Sequence, residues 1–168
     1  MNKRQTTKFA GGPVTLLGEE KKVGDKAPNF ICLDTSLNEV SLSDFDGKKK
    51  LISVVPSLDT GVCALQTVRF NQEAAKLDDT VVLTISVDLP FAQDRFGLDK
   101  EIKNAKLLSD HKDLDFGTKY GFVIEELRLL NRGVILIDEN NEIKYIEYVE
   151  ENTDHPDYDK AIEIAKSL

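Results

Sequence analysis

The sequence contains few cysteine and histidine residues, which several classes of protein require. It has two cysteines, two histidines and no tryptophan. The cysteines and histidines (Cys32, Cys63, His111 and His155) are scattered along the chain, without the paired spacing of a zinc site. So few cysteines exclude a disulfide-rich scaffold, and the absence of a Cys-x-x-Cys motif argues against ordinary dithiol exchange chemistry.

Long apolar runs and long basic runs are also missing. No apolar run approaches the roughly 20 residues that span a bilayer, and the polar N-terminus lacks the apolar stretch of a secretory signal. The net charge is -8, and no basic run is longer than residues 48–50. This balance is unfavourable for binding nucleic acid or an anionic membrane. We therefore expect a cytoplasmic protein that binds neither nucleic acid nor a membrane.

The order of strand and helix patterns predicts an α/β fold. Residues 7–17 predict an N-terminal β-hairpin with its turn at Gly11-Gly12. Nearly continuous apolar runs at 51–55 and 80–87 predict central strands that are buried on both faces. A second hairpin over 133–149 is followed by a closing helix. With no repeat and no linker, residues 1–168 are predicted to form one domain, with a mixed central sheet and helices on both faces in a thioredoxin-like arrangement.

A helix of about 15 residues is predicted to begin near Gly61, after the first buried strand. Its outer stripe is charged, with Arg69, Glu73 and Lys76. Its expected inner face consists mostly of small residues: Ala64, Thr67, Val68, Asn71, Ala74 and Ala75. Small side chains on that face would let the helix lie close to the sheet.

The segment that joins this strand to this helix carries most of the chemical information. Cys63 falls in the first turn of the helix, where unpaired N–H groups and the helix dipole favour an anion. The anion of a cysteine is the thiolate, which is its reactive form. The hydroxyl of Thr60 can reach the same space and exchange a hydrogen bond with an oxygen atom, and Pro56, which has no N–H, would form an apolar wall. The alternative is that Cys63 is a small buried apolar residue at a helix start.

The spacing Pro-x-x-x-Thr-x-x-Cys, filled here by Pro56, Thr60 and Cys63, resembles the motif that peroxiredoxins carry around the cysteine that attacks peroxide. The resemblance is closest to the thiol peroxidase subfamily and covers most of the chain. Segments similar to that subfamily follow one another in the expected order: residues 12–18, 23–28, 53–63, 88–93 and 125–132.

This resemblance implies a thioredoxin fold with an N-terminal hairpin, a homodimer, and antioxidant reduction of peroxides by thioredoxin or another thiol reductant. It assigns catalytic roles to Cys63, Thr60 and Pro56, and to Arg132, which matches the subfamily's active-site arginine. A guanidinium near a thiolate stabilises the anion and can donate to a peroxide oxygen. The cysteine would become a sulfenic acid. No metal or other cofactor is expected, because the sulfur supplies both electrons.

The sequence departs from the subfamily at one position. Most thiol peroxidases have a second, resolving cysteine directly after an Arg-aromatic pair, which is Arg95-Phe96 in this chain. The next residue here is Gly97. Cys32 is the only other thiol, and its apolar surroundings indicate a core residue of a strand rather than a resolving cysteine. The sulfenic acid is therefore expected to need a thiol from elsewhere.

The roles of several other residues stay open at this point. Asp59 and Glu126 are candidates for orienting Arg132 or for capping the helix, and Phe91 and Gln93 are candidates for lining the site or a dimer contact.

Two further interpretations of the whole protein also stay open. One is a peroxide-responsive signalling or chaperone-like protein that turns over poorly because it lacks a resolving cysteine. The other is a structural dimeric module in which Cys63 is inert.

Overall fold

The computed structural model describes residues 1–168 and contains two β-sheets and four α-helices. The strands are β1 (Lys3–Phe9), β2 (Gly12–Leu17), β3 (Ile31–Leu33), β4 (Glu39–Ser41), β5 (Lys49–Val54), β6 (Thr80–Ser86), β7 (Ala105–Ser109), β8 (Val123–Ile124), β9 (Leu129–Leu130), β10 (Gly133–Ile137) and β11 (Ile143–Tyr148). The helices are α1 (Gly61–Ala74), α2 (Pro90–Asp99), α3 (Asp115–Tyr120) and α4 (Tyr158–Ser167). A 3-10 turn spans Leu42–Phe45. No helix is long and apolar enough to cross a membrane.

The larger sheet has seven strands in the order β11-β10-β5-β6-β7-β3-β4. Strands β5, β6 and β7 are parallel, whereas β10, β11, β3 and β4 pair antiparallel to their neighbours. The sheet is therefore mixed, as predicted. The apolar runs that predict central strands form β5 and β6, at the middle of the order, where a strand is covered on both faces.

Alternation along the central strands builds a core on each face of this sheet. Leu51 of β5 packs on one face, with Phe70 of α1 and Ile162 of α4. Its neighbour Ile52 points to the other face and joins a cluster that includes Phe116 of α3. Successive side chains of a strand point to opposite faces, so one apolar run serves both cores. The prediction of helices on both faces is confirmed.

The predicted N-terminal hairpin is formed by β1 and β2, which join β8 and β9 in a second, four-stranded sheet. The two central residues of its turn are Ala10 and Gly11, both with positive φ (50° and 82°), and Gly12 already pairs with Phe9. A two-residue turn with positive φ at both positions matches the twist of the strands that it connects.

The inner face of α1 differs from the predicted one. Its buried residues are Cys63, Gln66, Thr67, Phe70 and Asn71. Thr67 and Asn71 are buried as predicted. The face is nevertheless not made mostly of small residues, because Phe70 packs on Tyr158 of α4, with ring centroids 5.4 Å apart, and Gln66 hydrogen-bonds to the sheet. Contacts with distant parts of the chain decide which side of this helix is buried.

Candidate active site

Cys63 lies in the first turn of α1 and is fully buried. It forms a small core cluster with Val55 and Leu58 of the preceding segment, and the half-buried ring of Phe96 on α2 packs against this cluster. The first N–H groups of a helix have no intrahelical partner, so the thiol lies where backbone donors and the positive end of the helix dipole favour an anion. The apolar side chains around it keep bulk water away from the sulfur.

The segment before α1 is held in place by Asp88, which follows β6. One carboxylate oxygen of Asp88 accepts from the N–H of Leu58 at 2.8 Å, and the other accepts from Oγ of Ser57 at 2.8 Å. Pro56 is buried at the start of this segment. Asp88 is a site residue that the sequence analysis missed, because nothing in its local pattern indicates that it reaches back across the sheet.

Thr60 is the N-cap residue of α1, and its hydroxyl donates to the carbonyl oxygen of Ser57 at 3.1 Å. It forms no hydrogen bond with Cys63 in the structure. Because its proton is engaged, the oxygen of Thr60 is free to act only as an acceptor. The sequence left open whether the hydroxyl of Thr60 donates or accepts a hydrogen bond at the site, and the loop geometry favours acceptance.

Arg132 lies directly before β10, and its Nη2 donates to Sγ of Cys63 at 3.2 Å. Its Nη1 donates to Oε1 of Gln66 at 3.0 Å, and its Nε donates to the carbonyl oxygen of Asn152 at 3.0 Å. Arg132 is buried, yet none of its three side-chain acceptors is a carboxylate. Negative charge at the remaining acceptor, the sulfur of Cys63, would stabilise this buried cation.

Gln66 holds the guanidinium from the helix side. Its Nε2 donates to Oγ of Ser53 at 2.8 Å and to the carbonyl oxygens of Val54 and Gly133, at 3.3 and 3.4 Å. These bonds fix the amide so that Oε1 faces Arg132. A glutamine at this position keeps the site free of a competing carboxylate.

The two candidates for orienting Arg132, Asp59 and Glu126, form no hydrogen bond with it. Glu126 instead accepts from the N–H of Thr15, and Asp59 is exposed. Gln66 and Asn152 take that role, and neither was a candidate in the sequence. Both are uncharged residues, and only the folded chain brings them next to a guanidinium.

Cys32 lies in β3 and is also buried and free. Its Sγ donates to Oδ1 of Asp110 at 3.6 Å. Burial, and then the nearby carboxylate of Asp110, raise the pKa of the Cys32 thiol far above its usual range. Cys32 therefore stays a neutral thiol, as expected for a core residue of a strand, and belongs to a different core cluster from Cys63.

Gly97 lies within α2, one residue after Phe96, whose ring packs against the core cluster that contains Cys63. A Cβ atom at this position would lie 3.1 Å from Cδ1 of Leu107 on β7. Gln93 and Phe91, the two residues of α2 that are candidates for lining the site or a dimer contact, differ in burial. Gln93 is buried and donates to Oγ of Ser86 and to the carbonyl oxygen of Leu108, whereas Phe91 is exposed.

Comparison with known proteins assigns the class that this fold and site define. A model of the redoxin family matches residues 22–162. A peroxiredoxin-like protein from Aquifex aeolicus has the same fold, with a TM-score of 0.92, 36% sequence identity and 99% of each chain covered. The thioredoxin-like fold expected from the sequence is confirmed.

The particular family follows from closer relatives. The chain is 61% identical to a thiol peroxidase of Halalkalibacterium halodurans over 159 residues, which cover 95% of this chain and 96% of the relative. It is 58% identical to a thiol peroxidase of Listeria innocua over 158 residues, with 94% and 96% covered. The chain belongs to the thiol peroxidase family of peroxiredoxins. The expectation of a thiol-dependent peroxidase is thereby confirmed at the level of the family.

Proposed function

We propose that Cys63 is the residue with which this protein reduces hydrogen peroxide and alkyl hydroperoxides, in an antioxidant role. One observation carries the proposal: Nη2 of Arg132 contacts Sγ of Cys63 at 3.2 Å, at the N-terminus of a helix. A cation, a helix dipole and unpaired N–H groups at the same atom all favour the thiolate, the reactive form of a cysteine. An inert structural cysteine needs none of them.

The reaction that this geometry supports is a displacement at oxygen. The thiolate of Cys63 attacks the terminal oxygen of the peroxide, an S–O bond forms, and the O–O bond breaks. The sulfur loses two electrons and becomes a sulfenic acid. The other peroxide oxygen leaves with the electron pair of the O–O bond and takes a proton, so the products are the sulfenic acid and water or an alcohol.

Different residues around Cys63 would bind different parts of the peroxide. Thr60, whose own proton is engaged by Ser57, accepts a hydrogen bond from the peroxide hydroxyl. Arg132 and the free N–H groups of the first turn of α1 stabilise the charge that develops on the leaving oxygen. Pro56 forms the apolar wall that limits the entry of water.

We further propose that an external thiol, thioredoxin or another thiol reductant, reduces the sulfenic acid. Cys32 is poorly suited to this step, because its thiol is held neutral beside Asp110 in another core cluster. Forming a disulfide would require its Cα to approach that of Cys63 to roughly 4.4–6.8 Å, which removes β3 from the sheet. The glycine at position 97 supplies no alternative thiol.

A second candidate function is peroxide signalling with little turnover, and Gly97 is the observation that favours it. Steady-state turnover with thioredoxin and its reductase separates the two functions. Sustained consumption of peroxide supports the enzyme, whereas a single turnover followed by arrest supports the signalling protein.

We propose that the protein is a homodimer. Leu89 and Phe91 are 52% and 66% exposed at the start of α2, beside the segment that Asp88 anchors. Exposed apolar residues next to one another are typical of a protein interface.

We also propose that residues 1–168 form one domain in the cytoplasm. Val123 and Leu130 of the smaller sheet belong to the same core cluster as Ile52 of the larger sheet, which supports a single unit. A reducing compartment such as the cytoplasm keeps a reactive thiol available.

Cys63→Ser and Cys32→Ser variants test the proposed function. After one equivalent of peroxide, mass measurement under non-reducing conditions should show one added oxygen on the parent and on Cys32→Ser, and none on Cys63→Ser. Loss of this oxidation in a folded Cys32→Ser variant would show that the assignment of Cys63 is wrong.

A further inference from the structure

Asn152 holds both ends of Arg132. Its side-chain Oδ1 accepts from the backbone N–H of Arg132 at 2.7 Å, and its carbonyl oxygen accepts from Nε of Arg132 at 3.0 Å. Asn152 is 1% exposed and lies in the segment that follows β11. A single residue thus fixes the backbone and the guanidinium of the arginine that contacts Cys63.

Asn152 is itself held by the N-terminal hairpin. Its Nδ2 donates to the carbonyl oxygen of Lys8 in β1 at 2.9 Å and to Oδ1 of Asn131 at 2.7 Å. Its backbone N–H also donates to the carbonyl oxygen of Lys8, at 2.9 Å. Because Arg132 presents a donor and Lys8 an acceptor, only one orientation of the Asn152 amide satisfies both. The side chain therefore cannot rotate without breaking a buried hydrogen bond.

Two other contacts attach the hairpin to the same segment. The backbone N–H of Lys8 donates to the carbonyl oxygen of Glu150 at 2.6 Å. The carboxylate of Glu151 accepts from the N–H groups of Ala10 and Gly11, at 3.1 and 2.7 Å. The hairpin and residues 150–152 therefore form one hydrogen-bonded unit, and Asn152 is the member of that unit that also contacts Arg132.

We propose that Asn152, which is anchored on the N-terminal hairpin, is a positioning residue for the peroxidase reaction and holds Arg132 at Cys63. This inference rests on the proposed role of Arg132. The guanidinium has rotatable bonds along its stem, and only fixed acceptors hold Nη2 at the sulfur. Gln66 holds Nη1 of the guanidinium, and Asn152 holds Nε and the backbone N–H of Arg132. Loss of the Asn152 side chain frees the backbone of Arg132 and the segment that carries the carbonyl oxygen at position 152. Arg132 would then spend less time at the distance at which it stabilises charge on Cys63.

A double-mutant cycle tests whether Asn152 acts through Arg132. In the otherwise unchanged chain, Asn152→Ala should slow the second-order reaction with hydrogen peroxide about tenfold and shift the rate–pH profile towards higher pH. In an Arg132→Met chain the same change should alter the rate by less than about twofold, because the residue through which it acts is already absent. Circular dichroism and thermal unfolding establish that each variant is folded.

Glu151→Ala is the matched control. It removes bonds to the hairpin turn from the neighbouring position but breaks no contact with Arg132. It should lower the thermal midpoint and leave the rate and its pH profile unchanged. If Asn152→Ala does not fold, Asn152→Ser keeps a small polar side chain at the position and takes its place in the cycle.

Three results would overturn the proposal. A folded Asn152 variant with the parent rate and pH profile would show that the residue is only structural. Equal slowing in the unchanged and Arg132→Met chains would show that it acts elsewhere. An Arg132→Met variant with the parent rate would instead contradict the role of Arg132 itself, and the role of Asn152 would fall with it.

Discussion

Nη2 of Arg132 lies 3.2 Å from Sγ of Cys63, although the two residues are 69 positions apart in the chain. The sheet explains this proximity. Gly133, the first residue of β10, pairs with Val54, the last residue of β5. The residue before β10 and the segment after β5 therefore emerge at the same end of the sheet. Cys63 lies in the first turn of the helix that follows that segment, so strand register brings the cation to the thiol.

Arg132→Met should slow the reaction with hydrogen peroxide at least about tenfold, because it removes a donor from charge that develops in the transition state. Losing one such donor typically costs about 2.7–4 kcal/mol of activation free energy. Stopped-flow measurement of the second-order rate constant provides the comparison. Arg128→Met is the control, since Arg128 is exposed and its side chain donates only to the carbonyl oxygen of His111. Equal rates in the two variants would remove Arg132 from the mechanism.

Thr60→Val should also slow the peroxide reaction at least about tenfold, because valine keeps the shape of threonine but has no oxygen to accept the peroxide hydroxyl. Thr60→Ser retains the hydroxyl and should keep most of the rate. The same stopped-flow assay measures both variants. If the valine and serine variants react equally fast, the hydroxyl has no part in binding the peroxide.

Gly97→Cys should restore an internal disulfide with Cys63 and raise turnover with thioredoxin under repeated addition of peroxide. The new Cβ meets only the end of the flexible Leu107 side chain, and replacing a glycine inside α2 favours the helix. The parent should over-oxidise faster, because its sulfenic acid waits longer for a thiol. Gly97→Ser controls for size without sulfur. Equal inactivation and equal turnover in the cysteine and serine variants would contradict this account of position 97.

Asp110→Asn should change how stability depends on pH. Burial raises the pKa of the Asp110 carboxyl from 3.8 to about 6, even though the N–H groups of Phe116 and Gly117 donate to it. The folded protein therefore binds the proton more tightly than the unfolded chain. This contribution to stability is fully present below about pH 4 and is lost as the pH rises through about 6.

The loss amounts to about 3 kcal/mol at most. Urea unfolding of the parent and of Asp110→Asn at pH 4.5 and pH 7 should show a smaller decrease for the variant than for the parent. Parallel stability curves for the two proteins would show that Asp110 does not titrate in this range.

Phe91→Glu should convert the proposed dimer into a monomer, because a charge at the centre of an apolar contact is left without a partner. Light scattering at micromolar concentration measures the mass. Val23→Glu, which also replaces an exposed apolar residue but lies in a loop before β3, should remain dimeric. A parent protein with the mass of one chain would refute the dimer outright.

Much of this fold follows from local patterns in the sequence. The run that forms β5 is apolar at successive positions, and only a strand that is covered on both faces suits it. The hairpin of β1 and β2 follows from a glycine-containing turn between β-prone residues, although the turn lies one residue earlier than the Gly11-Gly12 pair indicates. These features depend on residues that are close together in the sequence, so the local pattern of apolar, polar and glycine residues is enough to predict them.

Local patterns predict some of the site residues but not others. Pro56, Thr60 and Cys63 lie within one short segment, so their spacing alone predicts that they share a strand-to-helix connection. Gln66 and Asn152 could not be found in this manner. A buried amide is recognised by the partners it meets, and those partners lie on strands and segments that are distant in sequence. The sequence by itself determined which of the two thiols lies in the first turn of a helix. Only the tertiary structure decided what holds the arginine against it, because strand register and long-range hydrogen bonds, not local spacing, set that geometry.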